Sequence, residues 1–250
     1  MKMKLIEETE LVNGVIMITP DMKFLGMTPR EFVWDILVEK LNMKFIVEGQ
    51  TFNFGARGSG TIVTLTELGR EFGFETFMTP SCKMHCCEGE TAISSTLVRS
   101  KIATCKFDQV KCCLGRNFIL PGSIVKGRGI GRQMGYPTAN INPYIDCQQL
   151  PEDGVFACRA KIGNNFEHAW NSQKSYQAAV SMGHCQTFKD GQYQIEAFLL
   201  DFDGDHDSLL NKHIMLEYVS KLRDQATYAN TKELADQIGK DCRNVITALS

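Results

Sequence analysis

The pattern of apolar residues changes near the middle of the chain, between Gly115 and Phe118. Before this point, segments with helical spacing alternate with short apolar strands, which is typical of a parallel sheet with flanking helices. After it, short apolar runs are broken by Gly, Pro and Asn, which favours a small β barrel or sandwich. Since 250 residues are enough for two small domains, the sequence predicts a first domain over 1–115 and a second over 116–250.

The clearest helix start in the first domain lies at Thr28. Thr28 is placed as the N-cap, Pro29 as the first helical residue and Glu31 as the partner that closes a capping box. We expect this helix to end at Asn42, ahead of a short strand over 45–47. The next predicted elements are a helix around Leu65–Phe72, a helix stop at Gly73 and a strand Phe74–Met78.

The second domain is predicted to consist of strands followed by one helix. The candidate strands are Phe118–Val125, Gly154–Ile162, Tyr176–Met182 and Tyr193–Phe202. Asn230 and Glu233 form a capping pair at the start of the final helix. The apolar stripe expected on that helix contains Leu234, Ile238, Cys242, Val245, Ile246 and Leu249.

Composition and charge exclude several classes of function. There are 27 Lys and Arg residues against 29 Asp and Glu residues, and neither half is basic enough for a nucleic-acid-binding protein. No apolar run approaches the ~20 residues of a membrane helix, so we expect no membrane partner. The ten cysteines are scattered, and the first residues resemble no secretory leader. These observations predict a cytoplasmic protein with reduced thiols whose partners are small molecules.

A glycine-rich stretch over 126–140 is the most informative segment for function. Four glycines allow close approach of the backbone to a ligand, and three basic side chains among them suit a polyphosphate. An ordinary turn with solvated Arg and Lys residues would have a similar composition. Because Pro137 favours an extended chain, Thr138 and Asn140 should project to one face. Their side-chain oxygens are hard ligands of the kind that Mg²⁺ accepts.

Glu196 is a second candidate for chemistry. In a strand, Ile195, Ala197 and Leu199 would share the core face and leave Glu196 on the opposite face. There the carboxylate could act as a general base. The alternative is an ordinary exposed glutamate in a strand.

The later half resembles the riboflavin kinase domain from about Leu114 to about Val245. The similarity lies in the glycine-rich stretch with Pro-Thr-Ala-Asn at 137–140 and in several segments that follow it in the family's order. These are Ala179-Val180-Ser181-Met182-Gly183, Ile195-Glu196, Leu200-Asp201-Phe202 and Lys221-Leu222-Arg223. The resemblance implies a Greek-key barrel with a C-terminal helix that phosphorylates riboflavin to FMN with ATP.

The same resemblance implies roles for individual residues. Thr138 and Asn140 would hold Mg²⁺ and the ATP phosphates, and Glu196 would be the catalytic base. Arg223 would lie near the bound flavin. The glycines expected in a flap over the nucleotide are Gly127, Gly129 and Gly131.

The earlier half resembles the nucleotidyltransferase domain of bacterial bifunctional riboflavin kinase/FAD synthetases, and this implies a partial Rossmann-like α/β domain. The similar segments are Phe52-Asn53-Phe54-Gly55, Gly73-Phe74 and Ile93-Ser94-Ser95-Thr96-Leu97-Val98-Arg99. Ser94, Ser95, Thr96 and Arg99 could bind phosphate at a helix N-terminus, or they could belong to a plain capped helix. The family's His-x-Gly-His motif does not occur, since His85 is the first histidine. We therefore expect little FMN adenylyltransferase activity. A working bifunctional enzyme and a non-catalytic flavin- or nucleotide-binding remnant are the alternatives.

Other departures from the family concern both halves. Thr51 replaces a common Asp, Phe198 replaces a usual His, and Gln186 replaces a usual Pro. The segment 205–212 carries three extra residues, which predicts an altered loop near the flavin. A cysteine-rich loop also has the residue types of a zinc site, although an ordinary reduced loop explains it better; its members are Cys82, His85, Cys86 and Cys87.

Overall fold

A computed structural model of the chain describes residues 1–86, 89–144, 149–184 and 193–250, with only the backbone described at 85–86. The chain divides into two compact units, Met1–Cys82 and Lys83–Ser250. Residues 83–115 thus pack with the unit that contains the later strands. The domain division at 115/116, drawn from the change of pattern, stays a prediction.

The first unit is an α/β structure around a small parallel sheet. Its helices are α1 (Lys2–Glu7), α2 (Met22–Gly26), α3 (Pro29–Glu31) with the π-helix Phe32–Lys40 that continues it, the 3₁₀ turn Ala56–Gly58, and α4 (Ile62–Phe72). Its strands are β1 (Phe45–Gly49), β2 (Asn53–Phe54), β3 (Gly60–Thr61) and β4 (Glu75–Thr79). β1 and β4 pair in parallel with Phe45 opposite Glu75, and α4 lies between them in sequence. The predicted alternation of helices and strands is confirmed.

The local signals of the first unit correspond to observed hydrogen bonds. Thr28 accepts a hydrogen bond from the backbone N–H of Glu31, and the Glu31 carboxylate accepts one from the N–H of Thr28, so the capping box is formed. Gly73 ends α4 in the left-handed conformation, with φ of 84°. Val33, Leu65 and Phe74 belong to the apolar core of this unit, which explains the helical spacing of its apolar residues.

The second unit is built on a closed barrel. Its strands are the hairpin β5 (Lys83–Cys86) and β6 (Gly89–Ala92), followed by β7 (Phe118–Val125), β8 (Thr138–Pro143), β9 (Gly154–Gly163), β10 (Tyr176–His184), β11 (Tyr193–Leu199) and β12 (His213–Arg223). Its helices are α5 (Ser95–Ala103), α6 (Phe107–Leu114), α7 (Ile130–Gln133), α8 (Phe166–Trp170), the 3₁₀ helix His206–Leu209 and α9 (Thr231–Leu249). The barrel order is β10-β11-β8-β7-β12-β9, and every neighbouring pair is antiparallel. β8 lies beside β11 and not beside β9, which is a Greek-key connection.

The barrel core is dominated by residues from alternating strand positions. Phe156, Tyr218 and Met182 are fully buried, and Tyr218 stacks on Phe107 with ring centroids 5.6 Å apart. Because Phe107 belongs to α6, this helix contributes to the same core as the strands. The four predicted strands are confirmed within three residues at each end.

Three features of the second unit differ from expectation. The sequence predicted an extended chain only around Thr138 and Asn140, whereas β8 continues to Pro143. β12 was not expected, because register shifts between Tyr218 and Ser220 and between Lys221 and Arg223 interrupt its alternation. Ile246 was wrongly placed on the buried stripe of α9, since its side chain is 48% exposed. No helix in the described part of the chain is both long enough and apolar enough to cross a membrane.

Candidate functional site

The glycine-rich segment folds over the start of β8. Val125 at the end of β7 pairs with Asn140 in β8, so the chain must return sharply between them. A Cβ atom on Gly127 would collide with the side-chain amide of Asn140, and one on Gly131 would collide with the carbonyl of Tyr136. These two glycines are therefore required by the close approach of the loop to β8.

Polar side chains from β8 and β11 meet on the outer face of the barrel. Asn140 is paired with Glu196, and Thr138 with Phe198, across the two strands. The intervening residues Ala139 and Ala197 are buried in the core. This alternation places Thr138, Asn140 and Glu196 on one face, as the strand pattern predicts.

Glu196 is a half-buried carboxylate with defined neighbours. Burial raises its pKa, whereas the charge of Arg128 and a hydrogen bond with the Thr138 hydroxyl oppose that rise. Arg128 also donates a hydrogen bond from Nη2 to Oε1 of Gln194 at 3.3 Å. Glu196 is thus not an ordinary exposed glutamate. Its carboxylate is partly buried and has Thr138 and Arg128 as neighbours.

Three cavities surround this face of the barrel. The first, of about 150 Å³, lies between the glycine-rich segment, the barrel face and α9, and Glu196 and Thr138 line it. The second, of about 330 Å³, is bounded by Gly127, Asn140, Thr138 and the 3₁₀ helix. The third, of about 730 Å³, is bounded by Asn140, Gly127 and the ends of β7 and β11. Thr138 and Asn140 therefore lie where the cavities adjoin.

The first cavity has an apolar wall and one buried ion pair. Arg223 donates from Nη2 to Oδ2 of Asp241 at 2.7 Å and from Nε to Oδ1 at 3.0 Å. Asp241, in α9, is 3% exposed, and Gln237 also donates to it at 2.9 Å. Asp241 was not predicted from the sequence. The sequence feature that could have identified it is a charged residue between Ile238 and Val245, on the apolar stripe of an amphipathic helix.

Phe198, which stands where the related family usually has His, packs against the glycine-rich segment. The ring of Tyr136 meets it edge to face at 5.3 Å. The Tyr136 hydroxyl lies 2.9 Å from the position that a Cβ would occupy on Gly239 of α9. The aromatic pair therefore links β11, the glycine-rich segment and α9.

The altered loop contacts the glycine-rich segment at the second cavity. Arg132 forms an ion pair with Asp207, with Nη2 2.5 Å from Oδ1. The Arg132 hydrogen bond lowers the pKa of Asp207. That this loop lies near the flavin stays a prediction, since its described residues line the second cavity and not the first. The pairing of Arg132 with Asp207 was not predicted.

The second group of predicted phosphate ligands lies apart from these cavities. Ser94 caps α5, because its hydroxyl accepts a hydrogen bond from the N–H of Leu97 at 3.1 Å. The other members of the group, Ser95, Thr96 and Arg99, are exposed on α5. Within the described ranges, none of the four lines a cavity named above.

Of the residues considered for a zinc site, Cys82 is an exposed thiol, and the side chains at 85–87 lie outside the described residues. Gln186, which replaces a usual Pro, also lies outside them. Across the described residues, no group of three His, Cys, Asp or Glu side chains is arranged to hold a metal ion. The hydroxyl of Thr138 and the amide of Asn140 offer oxygen ligands of the kind that Mg²⁺ accepts, and this ion usually retains water and binds substrate phosphates as well. Their position beside a glycine-lined cavity fits such an ion.

Comparisons with known proteins cover both units. A family model for riboflavin kinase matches residues 114–249, and one for FAD synthetase matches residues 1–97. The bifunctional riboflavin kinase/FMN adenylyltransferase of Escherichia coli K12 is 32% identical over 230 residues, covering 92% of this chain and 68% of that protein. Its counterpart in Buchnera aphidicola subsp. Acyrthosiphon pisum is 30% identical with the same coverage. A crystal structure described as a macrolide-efflux protein from Streptococcus pneumoniae is similar with a TM-score of 0.77 and 25% identity, covering 97% of this chain and 72% of that one.

Proposed function

The chain belongs to the riboflavin kinase family, and on this premise we propose that it transfers the γ-phosphoryl group of ATP to the 5′-hydroxyl of riboflavin. The products are FMN and ADP. The observation that carries the proposal is the grouping of Glu196, Thr138 and Asn140 on one barrel face, beneath a glycine-rich segment that closely approaches them.

We assign the flavin to the first cavity. Its apolar wall suits one part of a flat aromatic ring system, since about 150 Å³ is less than the ~300 Å³ of a site that encloses a whole ligand, and Glu196 also lines it. The residues of that wall include Ile130, Met134, Phe198, Leu234 and Ile238. Arg223 lines the same cavity, and its ion pair with Asp241 holds the guanidinium in place.

We assign ATP to the second and third cavities. Gly127 borders both of them, and Lys126 contributes a cation to both. Backbone N–H groups of a glycine-rich segment and nearby cations are suited to phosphate oxygens. Thr138 and Asn140 would hold Mg²⁺ beside these phosphates, and that ion would supply charge neutralisation when bound.

In the proposed reaction, Glu196 accepts the proton of the ribityl 5′-hydroxyl. The hydroxyl oxygen forms a bond to the γ-phosphorus while the bond to the β,γ-bridging oxygen breaks, and that oxygen leaves on ADP. Because phosphoryl transfer has a loose transition state, positioning contributes more than proton removal. The half-buried position of Glu196 supports its role, since a partly desolvated carboxylate is a stronger base.

We further propose that this chain alone makes FAD far more slowly than FMN. Adenylyl transfer needs donors for the charge on the α-phosphate and on the departing pyrophosphate, and each such donor commonly contributes about 10²–10³ in rate. The sequence contains no His-x-Gly-His motif, so Ser94, Ser95, Thr96 and Arg99 would have to act without imidazole donors.

The test is incubation of the purified protein with riboflavin, ATP and Mg²⁺, followed by chromatography of FMN and FAD. FMN formation that requires all three supports the kinase, and its absence from folded protein supports a non-catalytic remnant instead. FAD formed as fast as FMN, and lost in Arg99→Ala, would contradict the second proposal and favour a working bifunctional enzyme.

A further inference from the structure

Arg128 lies at the junction of the first and third cavities. Its side chain lines both cavities, and Gln194 does so too. Arg128 follows the end of β7, whose neighbour is β8, yet its guanidinium reaches Gln194 on β11. The neighbouring Gly127 lies against Asn140 of β8, so the loop brings Arg128 over this part of the barrel.

This position matters because two substrates must exchange a group there. With flavin in the first cavity and the nucleotide beside Asn140, the transferred phosphoryl group has to cross the boundary between the cavities. Thr138 lines the first and second cavities, and Arg128 and Gln194 line the first and third. Of these three described residues, Arg128 is the one with a positive charge.

We propose that the guanidinium of Arg128 contacts the phosphoryl group during its transfer and stabilises the negative charge on its oxygens. The proposal rests on the proposed kinase function, which supplies both substrates. Arg128 stays protonated throughout, so the proton and the bonds follow the scheme given above. Five N–H donors in a planar fork allow one guanidinium to bind two phosphoryl oxygens at once.

The other two arginines near the cavities lie away from this boundary. Arg132 pairs with Asp207 and lines the second cavity, and Arg223 pairs with Asp241 and lines the first. Neither of them lines both the first and the third cavity. Arg128 combines the position at the boundary with proximity to Glu196, whose pKa its charge helps to hold down.

The experiment measures kcat and KM for riboflavin and ATP in Arg128→Gln and Arg128→Lys. A donor used mainly in the transition state affects kcat, so Arg128→Gln should lower kcat about 100-fold while both KM values change by less than about fivefold. Arg128→Lys keeps the positive charge without the planar fork of donors, so its kcat should fall less than that of Arg128→Gln. In Arg128→Ala, millimolar guanidinium chloride should restore part of kcat.

Gln194→Ala tests the anchor, because it removes the hydrogen bond from Arg128 and leaves the guanidinium in the protein. We expect a much smaller loss of kcat in this variant. A kcat for Arg128→Gln within about threefold of wild type would overturn the proposal. Equal rescue of Arg132→Ala by guanidinium would also overturn it. If the wild type forms no FMN, the proposed kinase function is wrong, and the proposed role of Arg128 is then wrong as well.

Discussion

The ion pair between Arg223 and Asp241 gives a stability prediction that can be worked from the structure. Asp241→Ala removes a carboxylate that is almost fully buried and leaves the Arg223 guanidinium without its main partner. Removing one partner of a buried pair costs about 3–5 kcal/mol. Because the Arg223 side chain is 23% exposed, water recovers part of this loss, and we expect about 2–3 kcal/mol.

The assay follows the unfolding of the second unit alone. The chain has two tryptophans, Trp34 in the first unit and Trp170 in the second. In a Trp34→Phe background, urea unfolding followed by fluorescence therefore reports on Trp170. Asp241→Ala should lower the midpoint with an unchanged slope, and it should raise the KM for riboflavin because Arg223 lines the first cavity.

The matched control is Asp224→Ala, which removes a highly exposed carboxylate from an ion pair with Lys221. We expect this variant to unfold at almost the same urea concentration as the parent. If Asp241→Ala costs less than about 1 kcal/mol, the pair behaves like an exposed one and the reasoning from burial is wrong.

Three further predictions concern the barrel face. Without ligands, Glu196→Gln should melt at a higher temperature than wild type near pH 7.5, because burial raises the pKa of this carboxyl in the folded state. That gain in melting temperature should vanish as the pH falls through the folded-state pKa towards 4.5. An equal gain near pH 7.5 and near pH 4.5 in thermal melts would contradict the explanation by burial of the carboxylate. Thr138→Ala and Asn140→Ala should raise the Mg²⁺ concentration for half-maximal activity about tenfold or more, whereas an unchanged Mg²⁺ titration would refute their role as ligands. Gly127→Ala should impair turnover because its methyl group collides with the Asn140 amide, while Gly14→Ala, with no atom within 4 Å, should not; equal kinetics in the two would contradict the close approach.

Local signals predicted much of the fold. The capping box at Thr28 and the stop at Gly73 depend on residues within four positions of each other, so the sequence alone contains them. Alternation similarly predicted which side of β11 is buried, since Ile195 and Ala197 lie in the core. The same alternation placed Glu196 on the outer face, and the resemblance to riboflavin kinase singled it out.

Features that depend on distant segments were not predictable in the same way. Arg128 meets Gln194 only because the barrel places β11 beside β8. Asp241 finds Arg223 only after α9 packs on the barrel. The bulges in β12 interrupt the alternation of apolar and polar residues by which the other strands were predicted. For this reason β12 was not predicted from the sequence.

In the proposed reaction, Glu196 acts on the hydroxyl of riboflavin during transfer. The most direct measurement compares Glu196→Gln with wild type in kcat for FMN formation and in the dissociation constant for riboflavin, measured by flavin fluorescence. We expect a fall in kcat of about 100-fold or more, with the dissociation constant changed by less than about fivefold. A variant that retains wild-type kcat, or that loses activity only through weaker riboflavin binding, would contradict it.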